Sequence, residues 1–309
     1  MSQSPTTGRI IKQRSVPRKG TKILILERAN PEKIDNQNKQ AEINRHESMA
    51  KGAKEHRIWK TSFELIANSL RKDADVHYAE WSMNQRAKEL MNKAMGEEDY
   101  FRDRFFKAHS FQDFKEILPK LVESNRVRDN HLLEEIKKMG KNGKVEVRYG
   151  HLHSLVRKNL EQQGIRTSIE MKKIPFTHFE RAARKLWLGK ELSPLEYKRA
   201  YLSAFIDYGF GGFLGKILFG SFKEPTHSRL HFTEVAQNTI VDCLSEANLD
   251  RIISTRNPFL AFEYAGLPNP NNTSPQGMRK AVIQLMEQKS EYWKRRKIIQ
   301  EIKQKKTRG

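Results

Sequence analysis

Residues 124–164 read SNRVRDNHLLEEIKKMGKNGKVEVRYGHLHSLVRKNLEQQG. In 124–139, Val127, Leu132, Leu133, Ile136 and Met139 recur at helical spacing, which predicts an amphipathic helix with one apolar face. The glycines from Gly140 to Gly143 close it, as glycine does after a helix. Lys144–Tyr149 alternates apolar and polar residues, the signature of a strand. Gly150-His151-Leu152-His153 ends that strand. Residues 154–163 start a second helix with Leu155, Val156 and Leu160, stopped by Gly164. Helix, strand and helix with short connections predict an α/β fold.

Outward from this segment, Lys22–Glu27 (KILILE) is a short continuous apolar run between Gly20 and Asn30-Pro31. Such a run fits a buried strand of a parallel sheet. Asp75–Glu80 alternates and predicts a weaker second strand. Residues 32–72 and 82–122 carry apolar residues at helical spacing, the latter with phenylalanines at 101, 105, 106, 111 and 114. Residues 174–200 read as helical, with Ser193-Pro194 opening a new helix. Residues 201–222 are aromatic and apolar and long enough to reach across a bilayer, but Asp207, Lys216 and five glycines predict a buried helix-turn segment or docking surface instead. The expected architecture has four parts. A flexible basic arm spans 1–20, and one α/β domain with a mostly parallel sheet and extensive helical insertions spans 21–267. A linker follows at 268–277, then a basic C-terminal helix and tail at 278–309. Strands 22–27 and 144–149 are expected to be neighbours.

The chain has 309 residues, 37% hydrophobic and 31% charged, which suits a folded core and not a disordered chain. A single cysteine, Cys243, excludes a disulfide framework and a multi-cysteine zinc site. The first twenty residues lack an apolar stretch of the secretory kind, so the default expectation is a reducing, cytoplasmic setting. The 58 Lys plus Arg against 37 Asp plus Glu leave a formal net charge of +21. Residues 1–22 hold six basic and no acidic residues, and residues 279–308 hold eleven basic and three acidic ones. Basic ends attract polyanions through counterion release, without reading sequence. The segment 278–302 places Tyr292 and Trp293 beside Lys294, Arg295, Arg296 and Lys297. Rings beside cations suit stacking on bases and contact with phosphates, so these residues are the candidate nucleic-acid contacts. The same pattern suits, less well, an anionic membrane surface. It equally suits a helix that docks through Val282, Leu285 and Met286 with its charges in water.

Three groups are candidates for chemistry. His151 and His153 follow a strand, where ligands bind in open α/β sheets. Imidazole there can bind a metal or move a proton, although two histidines alone do not complete a zinc site. They read equally well as hydrogen-bonding or surface residues. Arg128, in Arg126-Val-Arg128-Asp129-Asn130, presents a fixed fork of donors suited to anions. It also reads as part of a capped helix start. Glu27 ends the first strand and can act as a base or metal ligand, or pair with Arg28. There is no P-loop, dinucleotide glycine fingerprint, HExxH or GxSxG pattern.

Taken together, residues 123–164 resemble the closing segment of the TraB/Tiki-like superfamily, which includes ChaN-like and erythromycin-esterase-like proteins. The residues that carry the resemblance are Arg126 or Arg128 opening a helix, Asp129-Asn130, the strand Val145–Tyr149, and Gly150 with His153 as a glycine-x-x-histidine pattern. The resemblance implies a site on the strand ends and a metal-assisted or histidine-based hydrolase. His153 would bind a divalent metal or serve as base, and Glu27 would be a second ligand or base. Arg128 would hold developing negative charge, and His151 would assist. The family's earlier glycine-x-x-histidine is replaced here by Leu26–Asn30. The other reading is a non-catalytic protein that binds RNA, DNA or another polyanion.

Overall fold

The computed structural model describes residues 22–25, 34–52, 57–78, 85–106, 110–140, 145–148, 154–165, 176–207, 213–220, 227–291 and 293. The basic arm at 1–20 lies outside them. The chain divides into two compact units, one formed by 1–98 and 123–172, the other by 99–122 and 173–309.

The first unit contains β1 (Lys22–Ile25), α1 (Lys39–Gly52), α2 (Arg57–Leu70), β2 (Asp75–Tyr78), the start of α3 (Gln85–Phe106), most of α4 (Phe111–Gly140), β3 (Val145–Arg148) and α5 (Ser154–Gln162). The strands form a parallel sheet in the order β2-β1-β3. Lys22 pairs with Asp75 and Val145, and Ile25 with Tyr78 and Arg148. Each strand has four residues, so the sheet is only about 13 Å deep. The expectation of an α/β fold built on a mostly parallel sheet is therefore corrected: the described residues are predominantly helical. The physical reason is the balance of apolar faces. Ile43 of α1 and Ile66 and Leu70 of α2 bury one cluster with Val76. Leu132, Leu133 and Ile136 of α4 bury another with Met91, Val156 and Leu160. Helix-spaced residues thus supply most of the core, and the sheet is a small insert.

Asn36 finishes the outer edge of that sheet. Its side-chain amide donates to the Val76 carbonyl at 2.9 Å, and its side-chain oxygen accepts from the Val76 N–H at 2.8 Å. One carboxamide thereby stands in for a peptide group of a missing neighbour strand, which keeps an otherwise open edge paired. Replacing Asn36 with alanine strands both groups of Val76, a fully buried residue. The expected cost is about 1–3 kcal/mol, read as a lower urea midpoint with unchanged slope.

A second prediction concerns α1. His46 is fully buried, with Nδ1 2.8 Å from the Glu42 carbonyl and the ring 6.2 Å from that of Phe63. Its Nε2 finds no hydrogen-bond partner among the described residues. Burial, seconded by the Arg45 charge, holds the imidazole below its usual range. In the unfolded chain the group titrates near its ordinary value of about 6.5. As pH falls below that value the unfolded state takes up a proton that the folded state refuses, so stability falls with acid. Urea melts between about pH 7.5 and 5.5 should show this loss, and His46→Leu should reduce it. An equal loss in the variant would contradict the assignment.

The helix α4 departs from its expected limits. A boundary was expected near 122–124, yet one helix runs from Phe111 to Gly140 with Pro119 inside it. Proline removes one donor and clashes with the preceding turn. The apolar series Phe114, Ile117, Leu118, Leu121 and Val122, all buried, carries the helix through.

Among the described residues the second unit is helical throughout: α6 (His178–Trp187), α7 (Pro194–Asp207), α8 (Phe213–Phe219), α9 (His227–Asp242), α10 (Glu246–Thr255), α11 (Phe259–Tyr264), a 3-10 turn (Pro270–Asn272) and α12 (Pro275–Lys289). Capping explains where the helices begin. Thr177 and Glu180 form a capping box on α6. Ser193 and Glu196 repeat it on α7, with Glu196 Oε2 2.8 Å from the Ser193 N–H and Pro194 in the first turn. Ser274 accepts from the Gly277 N–H at the head of α12. The core includes Leu202 and Ile206 of α7, Leu218 of α8, Ile240 of α9, Phe262 of α11 and Met286 of α12. So the glycine- and aromatic-rich stretch contributes buried helices to this core. No helix among the described residues is long and apolar enough to cross a membrane.

The C-terminal helix also differs from expectation. It was expected to run from 278 to 302 after a linker at 268–277. Instead α12 starts at Pro275 and ends at Lys289, where Ser290 takes an extended conformation (φ −95°, ψ 105°). The Ser290 N–H still bonds the Met286 carbonyl, while its hydroxyl accepts from the Trp293 N–H at 3.2 Å. One serine thus ends a helix and caps the next turn, which breaks the axis.

Candidate functional site

The parallel register makes β1, β2 and β3 end together at Ile25, Tyr78 and Arg148. Glu27 follows the first of these ends in sequence, and His151 and His153 follow the third. All three lie outside the described residues. Arg128 is described, but not where it was expected. It sits within the thirty-residue α4, partly buried, rather than in the first turn of a helix. Ser124 and Asn125 therefore do not cap a helix start, and Asp129 beside Arg128 is buried at 2% exposure and does not complement a helix N-terminus. Among the described residues no group of three or more His, Cys, Asp or Glu side chains could hold a metal ion. His153 and Glu27, the expected ligands, fall outside that search. Burial pushes the Cys243 thiol up, so it stays protonated near neutral pH and is a poor nucleophile.

The described geometry is richer at the C-terminal end of the second unit. On α12, Met278, Val282, Leu285 and Met286 are buried. Lys280 and Lys289 are exposed, and Arg279 is partly exposed. The Arg279 guanidinium lies 5.5 Å from the ring centre of Phe219 on α8. Phe219 meets Phe232 of α9 at 5.9 Å with the rings at 70°. Phe232 in turn meets Trp293 at 5.8 Å and 82°. Edge-to-face contacts of this kind are favourable for aromatic quadrupoles. The three rings are partly buried at the rim of the core. Trp293, on the segment that read equally as a polyanion contact or as a docking helix, is held against the folded unit. Lys294, Arg295, Arg296 and Lys297 follow it directly and lie outside the described residues.

A polar pair that local sequence did not signal lies elsewhere in the second unit. His178 Nε2 is 2.9 Å from Asp242 Oδ1, joining the start of α6 to the end of α9. Burial lowers the His178 pKa, and the Arg181 and Arg199 charges act in the same direction. This contact ties two helices 64 residues apart. Its only local trace was the capping box that fixes the start of α6. Phe219, Phe232 and Arg279 were likewise missed as a group, since each belongs to a different helix.

Compared with known protein families, curated proteins and solved structures, the chain matches none.

Proposed function

We propose that the protein is a non-catalytic nucleic-acid-binding protein whose basic C-terminal segment, helped by the N-terminal arm, contacts the phosphate backbone of RNA or DNA. One observation carries this reading: eight basic residues against one acidic residue follow Trp293, whose ring is anchored on the folded unit. A cation cluster tethered to a rigid body meets a polyanion with less ordering cost than one on a free tail. The exposed Lys280 and Lys289 of α12 extend the same field. A cytoplasmic setting goes with this reading, since nucleic acid is present there and the lone Cys243 stays reduced. Fluorescence anisotropy with a labelled oligonucleotide tests it. Binding at low salt should weaken linearly in log–log form as salt rises. No binding at about 50 mM salt would overturn it. Tighter binding to phosphatidylserine vesicles than to the oligonucleotide would turn the reading toward a membrane surface.

A second reading, metal-assisted hydrolysis in the manner of the TraB/Tiki-like resemblance, is favoured by the shared end of the three parallel strands. His153 and Glu27 would hold the metal there, and a divalent ion would supply Lewis acidity. Elemental analysis of purified protein decides it: a stoichiometric divalent metal lost in His153→Ala supports hydrolysis, and metal-free protein counts against it.

A further inference from the structure

We infer that an open cleft in the second unit, where α10 gives way to α11, is a binding site for a guanine base. The cleft has a volume of about 310 Å3 and is lined by Asn257, Phe259, Leu260, Glu263, Leu267 and Asn269. That volume suits a small ligand, and ligand sites join apolar walls to a few placed polar groups. Phe259, Leu260 and Leu267 supply the walls here. Phe259 and Leu260 stand four and three residues before Glu263 on α11, which puts the carboxylate on the face that carries them.

The polar groups offer a definite pattern. The Asn257 side-chain oxygen accepts from the Phe259 N–H at 3.1 Å, and the Asn269 side-chain oxygen accepts from the Asn271 N–H at 2.9 Å. Each turn commits the oxygen and holds the carboxamide in place. What remains to each is a pair of N–H donors, and neither amide nitrogen has a hydrogen-bond partner among the described residues. Glu263 is exposed, and its carboxylate can only accept. It forms no ion pair among the described residues. Two amide donors and a two-oxygen acceptor around an apolar slot complement guanine. Its O6 and N7 are adjacent acceptors for the amides. Its N1–H and N2–H are adjacent donors, which a carboxylate takes as a pair. Cytosine and uracil bring a single donor group to the carboxylate, and adenine sets its amino group between two acceptors. The guanine comes from a strand if the nucleic-acid reading holds and from a free nucleotide if it does not.

Calorimetry on the full chain tests this with the 5′-monophosphates of guanosine, inosine, adenosine and cytidine, which share ribose and phosphate and differ in the base. The guanosine form should bind about 10-fold or more tightly than the adenosine and cytidine forms, with inosine between, since it lacks the N2 amino group. Asn257→Asp and Asn269→Asp keep the oxygen that holds each turn and replace the donors with a second acceptor. Each should weaken guanosine monophosphate about 10-fold or more with an unchanged urea midpoint. Glu263→Gln, on an exposed side chain, should do the same and serves if the aspartates disturb the turns. Equal binding of the four nucleotides, no binding of guanosine monophosphate at about 10 mM, or a preference that survives all three substitutions overturns the site. A thymine strand carrying spaced guanines, set against the same strand carrying adenines, gives the source. A guanine preference that guanosine monophosphate competes away assigns the site to a strand, and nucleotide binding with no strand preference assigns it to the free nucleotide. Salt-dependent strand binding with no guanine preference in either form overturns the site and leaves the nucleic-acid reading standing. Nucleotide binding with no strand binding overturns that reading and leaves the site.

Discussion

Ending the chain at Met278, with loss of 279–309, is expected to unfold the second unit, whereas ending it at Trp293 is not. Val282 and Met286 are fully buried and Leu285 is 9% exposed, all within a large core cluster of that unit. Truncating a single side chain of this kind to alanine costs about 2–5 kcal/mol. Removing three at once, with the helix that carries them, meets or exceeds the total stability of about 5–15 kcal/mol typical of a domain. Circular dichroism of the 1–278 chain should show lost helix and no cooperative melt, while the 1–293 chain should melt as the whole protein does. A 1–278 chain with an unchanged melt would mean that α12 is not part of this core. The consequence for function is practical: the docked half of the basic segment cannot be deleted to test binding, because its loss is a folding defect.

Changing Lys294, Arg295, Arg296 and Lys297 together to glutamate is the second large expected effect. Each phosphate contact on a single strand contributes about −0.7 to the slope of log affinity against log salt, so four lost contacts should flatten it by about 3. Affinity near 0.1 M salt should fall by about 100-fold or more, since the introduced carboxylates also repel phosphate. A salt titration by anisotropy reads both. Unchanged slope and affinity would exclude these four residues as contacts.

Short-range features of this chain were open to reading, and long-range ones were not. The apolar run at 22–25 and the alternation at 75–78 and 145–148 marked strands, because a short apolar run and period-two patterning are both local properties. Their small share in the fold was not local. It depended on the helices of 178–289, whose faces assemble the larger core and outweigh three strands of four residues. Ser193-Pro194 marked a helix start because capping chemistry is written within four residues. The boundary expected near 122–124 does not exist: buried Leu118, Leu121 and Val122 carry one helix through it, with Pro119 inside. The site followed the same division. Lys294–Lys297 announced themselves as a charge run. The rings that hold Trp293 come from positions 219 and 232, and no spacing rule links those to 293. Ser290 was legible only in hindsight, since a serine inside an amphipathic run reads as a tolerated polar residue until its hydroxyl is seen accepting from Trp293.

The central claim is that the segment after Trp293 supplies the contacts to nucleic acid while the folded units remain intact without it. The most direct measurement is a salt titration of single-strand binding by the whole chain and by the 1–293 chain, side by side. The account predicts that the whole chain shows the steeper log–log slope, by about 3 to 5, and the tighter binding at low salt. Coincident slopes and affinities for the two chains would contradict it.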